Sequence, residues 1–427
     1  MEGIRILKGE KPLQGEIKIS GSKNAALPIM AATVLHPGEF ILHDIPVLKD
    51  IAVMREVLIS LGGRVEQRGN SIFIDTRQID SIEIPDQLMR KMRASILFMG
   101  PLLGRFGKVR ISQPGGCSIG PRPIDWHIKG FKQMDAVFQE SHGFIAGKSS
   151  QLQGKEIHLD FPSVGTTENI MLGAARAQGV TVIRNAAREP EIVDLQNFLN
   201  SMGADIFGAG TDMIKISGQK TLKACEHTVI PDRIEAGTFL LAGAITRGEV
   251  KLHNVIPEHL EATLAKIDEA GFKVRVEGET LTLLPTDEKI NPLEIKTQPY
   301  PGFPTDMQPQ FMALMALAEG TSLISENIFE NRMKHAEELK RMGARIRVEG
   351  RTAIVQGVDR LFGAFVESPP ALRAGAALVL AGLAAEGETV ITDIEHIQRG
   401  YEDLVGKMKA LGAEIELISV NGEEKND

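Results

Sequence analysis

The hydrophobic pattern alternates between two kinds of helical segment. One kind is apolar on every side and covers residues 24–35, 92–103, 166–177, 234–245, 307–318 and 372–385. A helix without a polar face is enclosed by other elements. The other kind, such as 194–202 and 333–342, carries charge along one side and is expected to coat the surface. Short apolar runs such as Val180-Thr181-Val182-Ile183 and Thr389-Val390-Ile391 read as strands. The order is constant: apolar helix, glycine, strand, amphipathic helix, a Leu-Gly-Gly-like turn, then strand pairs.

Two sets of landmarks measure the repeat. Gly62, Asp135, Gly203, Gly271, Gly343 and Gly412 follow the amphipathic helices, and Gly38, Gly107, Gly179, Gly248, Gly320 and Gly387 follow the apolar ones; successive members of each set lie 67 to 73 residues apart. Both rulers give six α/β modules of about 70 residues, longer than the common helical solenoid repeats. The glycines are expected to provide the positive φ of helix C-terminal caps. The simplest arrangement is two groups of three modules around two separate cores of buried helices. The expected hinges are Ser20-Gly21 and Ile230-Pro231.

Composition narrows the function classes. The 427-residue chain has a net charge of −8, which argues against a general nucleic-acid or anionic-membrane surface and leaves any anion to be bound locally. The longest run of small apolar residues, 374–385, is shorter than the roughly 18 residues of a membrane span. The N-terminal segment lacks the charge and apolar pattern of a signal peptide, so a cytoplasmic location is expected. Cys117 and Cys225 are the two cysteines, too few for a disulfide framework. No His or Cys spacing suggests a metal site, and no cofactor is expected.

The chemistry concentrates at the starts of the apolar helices, which are polar: Lys23-Asn24, Arg93, Ser163-Val164-Gly165-Thr166, Asp232-Arg233, Thr305-Asp306 and Arg373. Ser163 and Asp306 have a plain reading as N-caps. Lys23, Arg93 and Arg373 do not, because a cation opposes the helix dipole at that end and calls for a negative partner. Converging helix N-termini with added cations suit a doubly phosphorylated substrate. Segment 113–123 is a loop with three glycines and three prolines in which Arg122 follows Cys117 by five residues. It is not a Walker loop, since no Gly-Lys-Ser/Thr follows. A thiol in such a loop, tuned by a nearby guanidinium, serves as nucleophile or proton donor. Cys225 reads as an inert core cysteine.

The stretches Ser22-Lys23-Asn24-Ala25, Lys91-Met92-Arg93-Ala94-Ser95, Pro114-Gly115-Gly116-Cys117, Arg122-Pro123-Ile124-Asp125, Pro231-Asp232-Arg233-Ile234-Glu235, Tyr300-Pro301-Gly302-Phe303-Pro304-Thr305-Asp306 and Arg399-Gly400-Tyr401 resemble the bacterial UDP-N-acetylglucosamine 1-carboxyvinyltransferase (MurA) family of enolpyruvyl transferases. The resemblance runs over essentially the whole chain. It implies two inside-out α/β barrel domains of three repeats each, residues 21–230 and residues 1–20 together with 231–427, with the active site in the cleft between them. It also implies transfer of the enolpyruvyl group of phosphoenolpyruvate to the 3-hydroxyl of UDP-N-acetylglucosamine, the first committed step of peptidoglycan synthesis. Cys117 then matches the thiol that protonates C3 of phosphoenolpyruvate and that fosfomycin alkylates, and Asp306 the group that deprotonates the sugar. Lys23, Arg122 and Arg399 match cationic clamps on phosphoenolpyruvate, with Arg332 and Arg373 as additions. Asn24, Arg93, Arg122, Pro123, Ile124, Asp125, Trp126, Ser163, Val164, Gly165 and Ile328 match contacts to the UDP-sugar. Closure of the domains and of the Cys117 loop would exclude water.

The resemblance breaks at one place that bears on chemistry: Ala371, in Pro370-Ala371-Leu372-Arg373, stands where the family has Asp. Loss of that carboxylate predicts impaired turnover with binding retained. Asp135, in place of the usual repeat glycine, bears on packing. The rival readings are the shikimate-pathway enolpyruvyl transferase, opposed by Asn24 and the Cys117 loop, a silent UDP-sugar-binding protein, motivated by Ala371, and a purely structural repeat scaffold. No protein partner is indicated.

Overall fold

The computed structural model describes residues 2–115, 119–120 and 124–420. Cys117, Arg122 and Pro123 lie outside the described residues.

All six apolar segments are helical and buried. They are Lys23–Ala32, Met99–Phe106, Val164–Ala174, Arg233–Ile245, Gln308–Met315 and Leu372–Ala384. Two begin later than the hydrophobic pattern predicts, each preceded by a 3-10 turn, at Arg93–Phe98 and Thr305–Met307. Pro101 and Pro309 explain the delay. Proline lacks an N–H and clashes with the preceding turn, so it is best accommodated within the first turn of an α-helix, and each helix starts just ahead of its proline.

The chain forms two compact units, one of residues 1–20, 117–121 and 231–427, the other of residues 21–116 and 122–230. Each has its own hydrophobic core, built in the first around Phe239, Phe311 and Leu380 and in the second around Met30, Phe98 and Leu172. In both, three buried helices are surrounded by small mixed sheets and by the amphipathic helices, an α/β architecture throughout.

Five of the six sheets follow one plan, while the three-stranded sheet of Lys108–Ser112, Phe144–Lys148 and Val137–Ser141 has antiparallel pairings only. Val180–Arg184, for example, pairs antiparallel with Met213–Ser217 and parallel with the short strand Glu156–His158. Its burial alternates, as expected of a strand with one face on the core. Each parallel strand comes from the connection before the next module, so it ties neighbours together. The ring closes in the second unit when Glu226–Thr228, near its end, pairs parallel with Glu39–His43, near its start. In the first unit Gln14–Lys18 pairs parallel with Glu249–His253, and Glu2–Leu7 lies between Glu388–Thr392 and Glu414–Ser419.

The expected positive φ is present at ten landmark positions, including Asp135 at φ 65, where a short polar side chain tolerates the left-handed region. Gly38 and Gly248 depart from it. They are required by close approach: a Cβ on Gly248 would stand 1.9 Å from the Leu13 carbonyl oxygen, and one on Gly38 would stand 2.7 Å from Ala224 Cβ.

At the start of the helix Arg233–Ile245, Asp232 caps the N–H groups of Ile234 and Glu235. Glu235 is itself buried. Lys407 Nζ donates to it and, at 2.7 Å, to Ser20 Oγ, which donates in turn to Glu402 Oε2 at 2.6 Å. Burial pushes the Glu235 carboxyl up to about 7 against the opposing pull of Lys407. A carboxyl raised in the folded state contributes stability that is full below its unfolded value and is lost as pH rises through the folded one. The melting temperature of the wild type should therefore fall relative to that of Glu235→Gln between pH 5 and pH 8. A constant difference between the two proteins across that range would show that Glu235 stays ionised.

Candidate active site

In the first unit, the residues that sequence reasoning placed in the site and that the structure brings together are Asp306, Arg332 and Arg373. Asp306 is not a helix cap. Its two carboxylate oxygens receive two guanidiniums: Arg332 Nη2 donates to Oδ1 at 2.6 Å and Arg373 Nε to Oδ2 at 3.2 Å. Both arginines are buried, while Asp306 keeps a side-chain exposure of 27%. Two cations facing one carboxylate leave a net positive charge, which suits an anionic ligand with planar oxygens. Burial opposes the charge on Arg373, but the hydrogen bond with Tyr401 and the carboxylates of Asp306 and Asp232 outweigh it and hold the guanidinium above its ordinary pKa.

Sequence reasoning missed the carboxylate that organises this cluster. Glu326, fully buried, accepts from Thr297 Oγ1 at 2.9 Å, from Thr305 Oγ1 at 2.8 Å and from the N–H groups of Ile328 and Phe329 at 2.9 and 3.1 Å. Thr305 Oγ1 in turn accepts from Arg332 Nη1 at 3.0 Å. Glu326 thus holds the Ile328 turn, Thr305 and, through it, Arg332. A signal existed in the repeats. The position after the central strand is Asp44, Asn185, Asn254 and Asp393 in four modules, each in the left-handed region, whereas the longer Gln113 and Glu326 stand there in the other two, and of these Glu326 alone is charged. Ile119 O accepts from Asn331 N at 3.1 Å, which places that part of the loop beside Arg332 in sequence. Arg399 ends the 3-10 turn Ile394–Arg399 and is partly buried.

In the second unit Lys23, buried at the start of its helix, finds its negative partner in Asp50 Oδ2 at 3.2 Å. Asn24 follows it, partly exposed. Ser163 is a cap, as its plain reading had it, accepting from Thr166 N at 3.3 Å and leaving Val164 and Gly165 as the first helical residues. Arg93 opens the 3-10 turn Arg93–Phe98 near a histidine that sequence reasoning passed over. Burial, with the charge of Arg93, pushes His127 down to about 3, so its ring is neutral. Nδ1 of His127 lies 2.9 Å from Asn169 Nδ2 and accepts from it, and the ring proton therefore sits on Nε2. Asn169 also bonds Ile96 O at 2.9 Å and Gly100 N at 2.7 Å, fixing the turn that carries Arg93. Ile124 is buried, Asp125 begins the helix Asp125–Gln133, and Trp126 stacks on Phe161 with ring centroids 5.9 Å apart. The two rings line a shallow pocket with Lys129 and Asp160.

Ala371 occupies the N-cap of Leu372–Ala384 in extended conformation, with no side-chain bond to the first turn. Ser22, Ser163 and Asp232 supply that bond in three other buried helices. Beside it, Arg373 Nη1 is buried without a hydrogen-bond partner.

No helix among the described residues is long and apolar enough to cross a membrane, and no group of three or more His, Cys, Asp or Glu among them is placed to hold a metal ion.

A model of the family described as EPSP synthase (3-phosphoshikimate 1-carboxyvinyltransferase) matches residues 7–408. The chain is 55% identical over 419 residues, 97% of its length and 95% of the relative's, to UDP-N-acetylglucosamine 1-carboxyvinyltransferase 1 of Symbiobacterium thermophilum. It is 54% identical over 420 residues, 98% of its length and 99% of the relative's, to the protein of the same name from Carboxydothermus hydrogenoformans. Among solved structures it is similar to the enolpyruvyl transferase NikO from Streptomyces tendae, with a TM-score of 0.88 at 25% identity over 98% of this chain and 99% of that one. EPSP synthase from Acinetobacter baumannii, at 18% identity and a TM-score of 0.75 over 98% of this chain and 100% of that one, shares the fold.

Replacing Ala371 by Asp should add the missing cap and stabilise the protein by about 1 kcal/mol, which for a chain of 427 residues raises the melting temperature by roughly 1 °C. A scanning-calorimetry comparison that shows no increase would mean that the first turn of Leu372–Ala384 is already satisfied.

Proposed function

We propose, from the premise that the chain belongs to the EPSP synthase (3-phosphoshikimate 1-carboxyvinyltransferase) family of enolpyruvyl transferases, that it transfers the enolpyruvyl group of phosphoenolpyruvate to the 3-hydroxyl of UDP-N-acetylglucosamine and releases phosphate. The observation that carries the reading is Asp306 held between the buried guanidiniums of Arg332 and Arg373. It joins a candidate base to an anion site. The choice of acceptor rests on the relatives more than 50% identical, whose names specify UDP-N-acetylglucosamine. The likeness to EPSP synthase, at 18% identity, carries the fold alone.

In this reading the sugar hydroxyl attacks C2 of phosphoenolpyruvate as Asp306 takes its proton and Cys117 protonates C3. The tetrahedral intermediate then loses phosphate and a C3 proton, restoring the enol ether. Lys23, Arg122 and Arg399 clamp phosphoenolpyruvate, and Arg332 and Arg373 offer planar N–H pairs to its oxygens. An anion that draws these two arginines to itself loosens their hold on Asp306 and frees a carboxylate lone pair for the proton. Asn24, Arg93, Pro123, Ile124, Asp125, Trp126, Ser163, Val164, Gly165 and Ile328 hold the UDP-sugar. Neutral His127, through Asn169, steadies the turn that presents Arg93. The proposed location is the cytoplasm, in keeping with a chain that has only two cysteines.

Ala371 favours a second reading, a protein that binds both substrates and turns over slowly. The uncapped first turn and the unpartnered Arg373 Nη1 are where a carboxylate is missing.

Phosphate release from phosphoenolpyruvate, measured with and without UDP-N-acetylglucosamine, separates the readings. The wild type should release phosphate only with the sugar, and Cys117→Ala should be slower by about 100-fold or more, the usual contribution of a general acid. Turnover confined to Ala371→Asp would establish the second reading, and release by neither protein would end both. UDP-N-acetylglucosamine alone should also change the emission of Trp126, the single tryptophan. An unchanged spectrum at saturating sugar would remove Trp126 from the site.

A further inference from the structure

Tyr401 follows Arg399 and Gly400 in the segment that leads to the helix Leu404–Ala410, and it is 3% exposed. The guanidinium carbon of Arg373 lies 5.0 Å from the centre of its ring. Its hydroxyl is 3.0 Å from Thr238 Oγ1 and 3.2 Å from Gln310 Nε2. The directions of these bonds are determined. Thr238 Oγ1 gives its proton to Ile234 O at 2.8 Å, so it accepts from Tyr401. Gln310 Nε2 is a donor, so Tyr401 accepts from it. Burial raises the pKa of the phenol, which stays neutral and able to donate.

The three partners come from the three buried helices of the first unit: Thr238 from Arg233–Ile245, Gln310 from Gln308–Met315 and Arg373 from Leu372–Ala384. Thr238 and Gln310 are fully buried. Such an arrangement holds the phenol rigidly at the centre of the unit. Arg373 needs that support. Its Nε has one long bond to Asp306, and its Nη1 has no partner. Besides that bond, the guanidinium is held by Tyr401, whose hydroxyl also hydrogen-bonds to it, and recognition of a carboxylate or phosphate requires its plane to be set. A cation against an aromatic ring is attracted by the ring's quadrupole, most strongly away from water.

We propose that Tyr401 is a positioning residue for the capture of phosphoenolpyruvate, its ring pinned by Thr238 and Gln310 so that it sets the plane of the Arg373 guanidinium. The proposal rests on the reading that Arg373 faces phosphoenolpyruvate. It predicts selectivity between substrates, since none of these groups belongs to the second unit, to which the reading gives most contacts with the UDP-sugar.

The test reads the affinity of the full chain for each substrate, by calorimetry for UDP-N-acetylglucosamine alone and, because the two together react, as the KM of phosphoenolpyruvate for phosphate release in saturating UDP-N-acetylglucosamine. Tyr401→Leu should weaken phosphoenolpyruvate by roughly five- to thirtyfold, the range of a desolvated cation–π contact, and leave the UDP-sugar within about twofold. Tyr401→Phe keeps the ring but loses the pin and should fall between Tyr401→Leu and the wild type. Thr238→Val removes the acceptor with little change of volume, and serves as the second variant should Tyr401→Leu not fold. It should show the same selectivity. Unchanged phosphoenolpyruvate affinity in a folded Tyr401→Leu or Thr238→Val protein overturns the proposal, as does equal weakening of both substrates, the mark of a structural role alone. A wild type that binds the UDP-sugar and phosphoenolpyruvate while no variant discriminates between them leaves the functional reading standing without Tyr401. A wild type that binds neither overturns both.

Discussion

Enclosing a helix on all sides leaves no place for charge along its length. The six buried helices largely obey this constraint, with Glu168 and Arg105 as exceptions, and most of their charged groups gather at or just before the first turn, where unsatisfied N–H groups and the dipole make them useful. The sheets and amphipathic helices exist to cover those apolar walls, and the small parallel strands lock neighbouring covers into a ring. The chemistry of the molecule is therefore a property of helix ends. Lys23, Arg93, Asp232, Asp306 and Arg373 all stand there, and the side chains that orient them, such as Asp50, Asn169, Arg332 and Tyr401, come from other elements of the same unit.

Much of the fold was legible because its period is long and regular. The enclosed helices, the landmark glycines and the six modules can be read from spacing alone, and the two cores follow from the count of buried helices. The 3-10 turns were less visible: before Met99 the predicted apolar segment runs straight across the turn, before Gln308 it takes in the last residue of the turn, and Pro101 and Pro309 mark the true starts. Gly38 and Gly248 show the limit of reasoning from a consensus. Their role is contact with Ala224 and Leu13 and not the left-handed backbone, and a close approach between separate modules leaves no local trace.

For the candidate site, the cations were legible and their partners were not. Lys23 and Arg373 stand out because they oppose a dipole. Asp50, Glu326, Tyr401, Thr238 and Gln310 look ordinary where they occur, and they matter through pairings 21 to 163 residues away. Asp306 illustrates the difference. Its sequence context fits an N-cap, and its two arginines reveal its role only once the modules are assembled. His127 is similar, an unremarkable residue in an amphipathic helix whose neutrality follows from burial and the nearby Arg93, and whose tautomer is set by Asn169 from the next module.

The two rings close differently, and the difference bears on synthesis at the ribosome. Apart from a short inserted piece, the second unit is a continuous stretch ending at residue 230, so its last strand can meet its first as soon as that stretch has emerged. The first unit begins with Glu2–Leu7 but cannot seat that strand until Glu388–Thr392 and Glu414–Ser419 have been made. The strand Glu2–Leu7, its edges unpaired, must therefore wait until Glu388–Thr392 and Glu414–Ser419 have been made, while the second unit folds ahead of it. Such a strand invites pairing with other nascent chains. The charges at Glu2 and Arg5, set between its apolar residues, give it some protection during that wait.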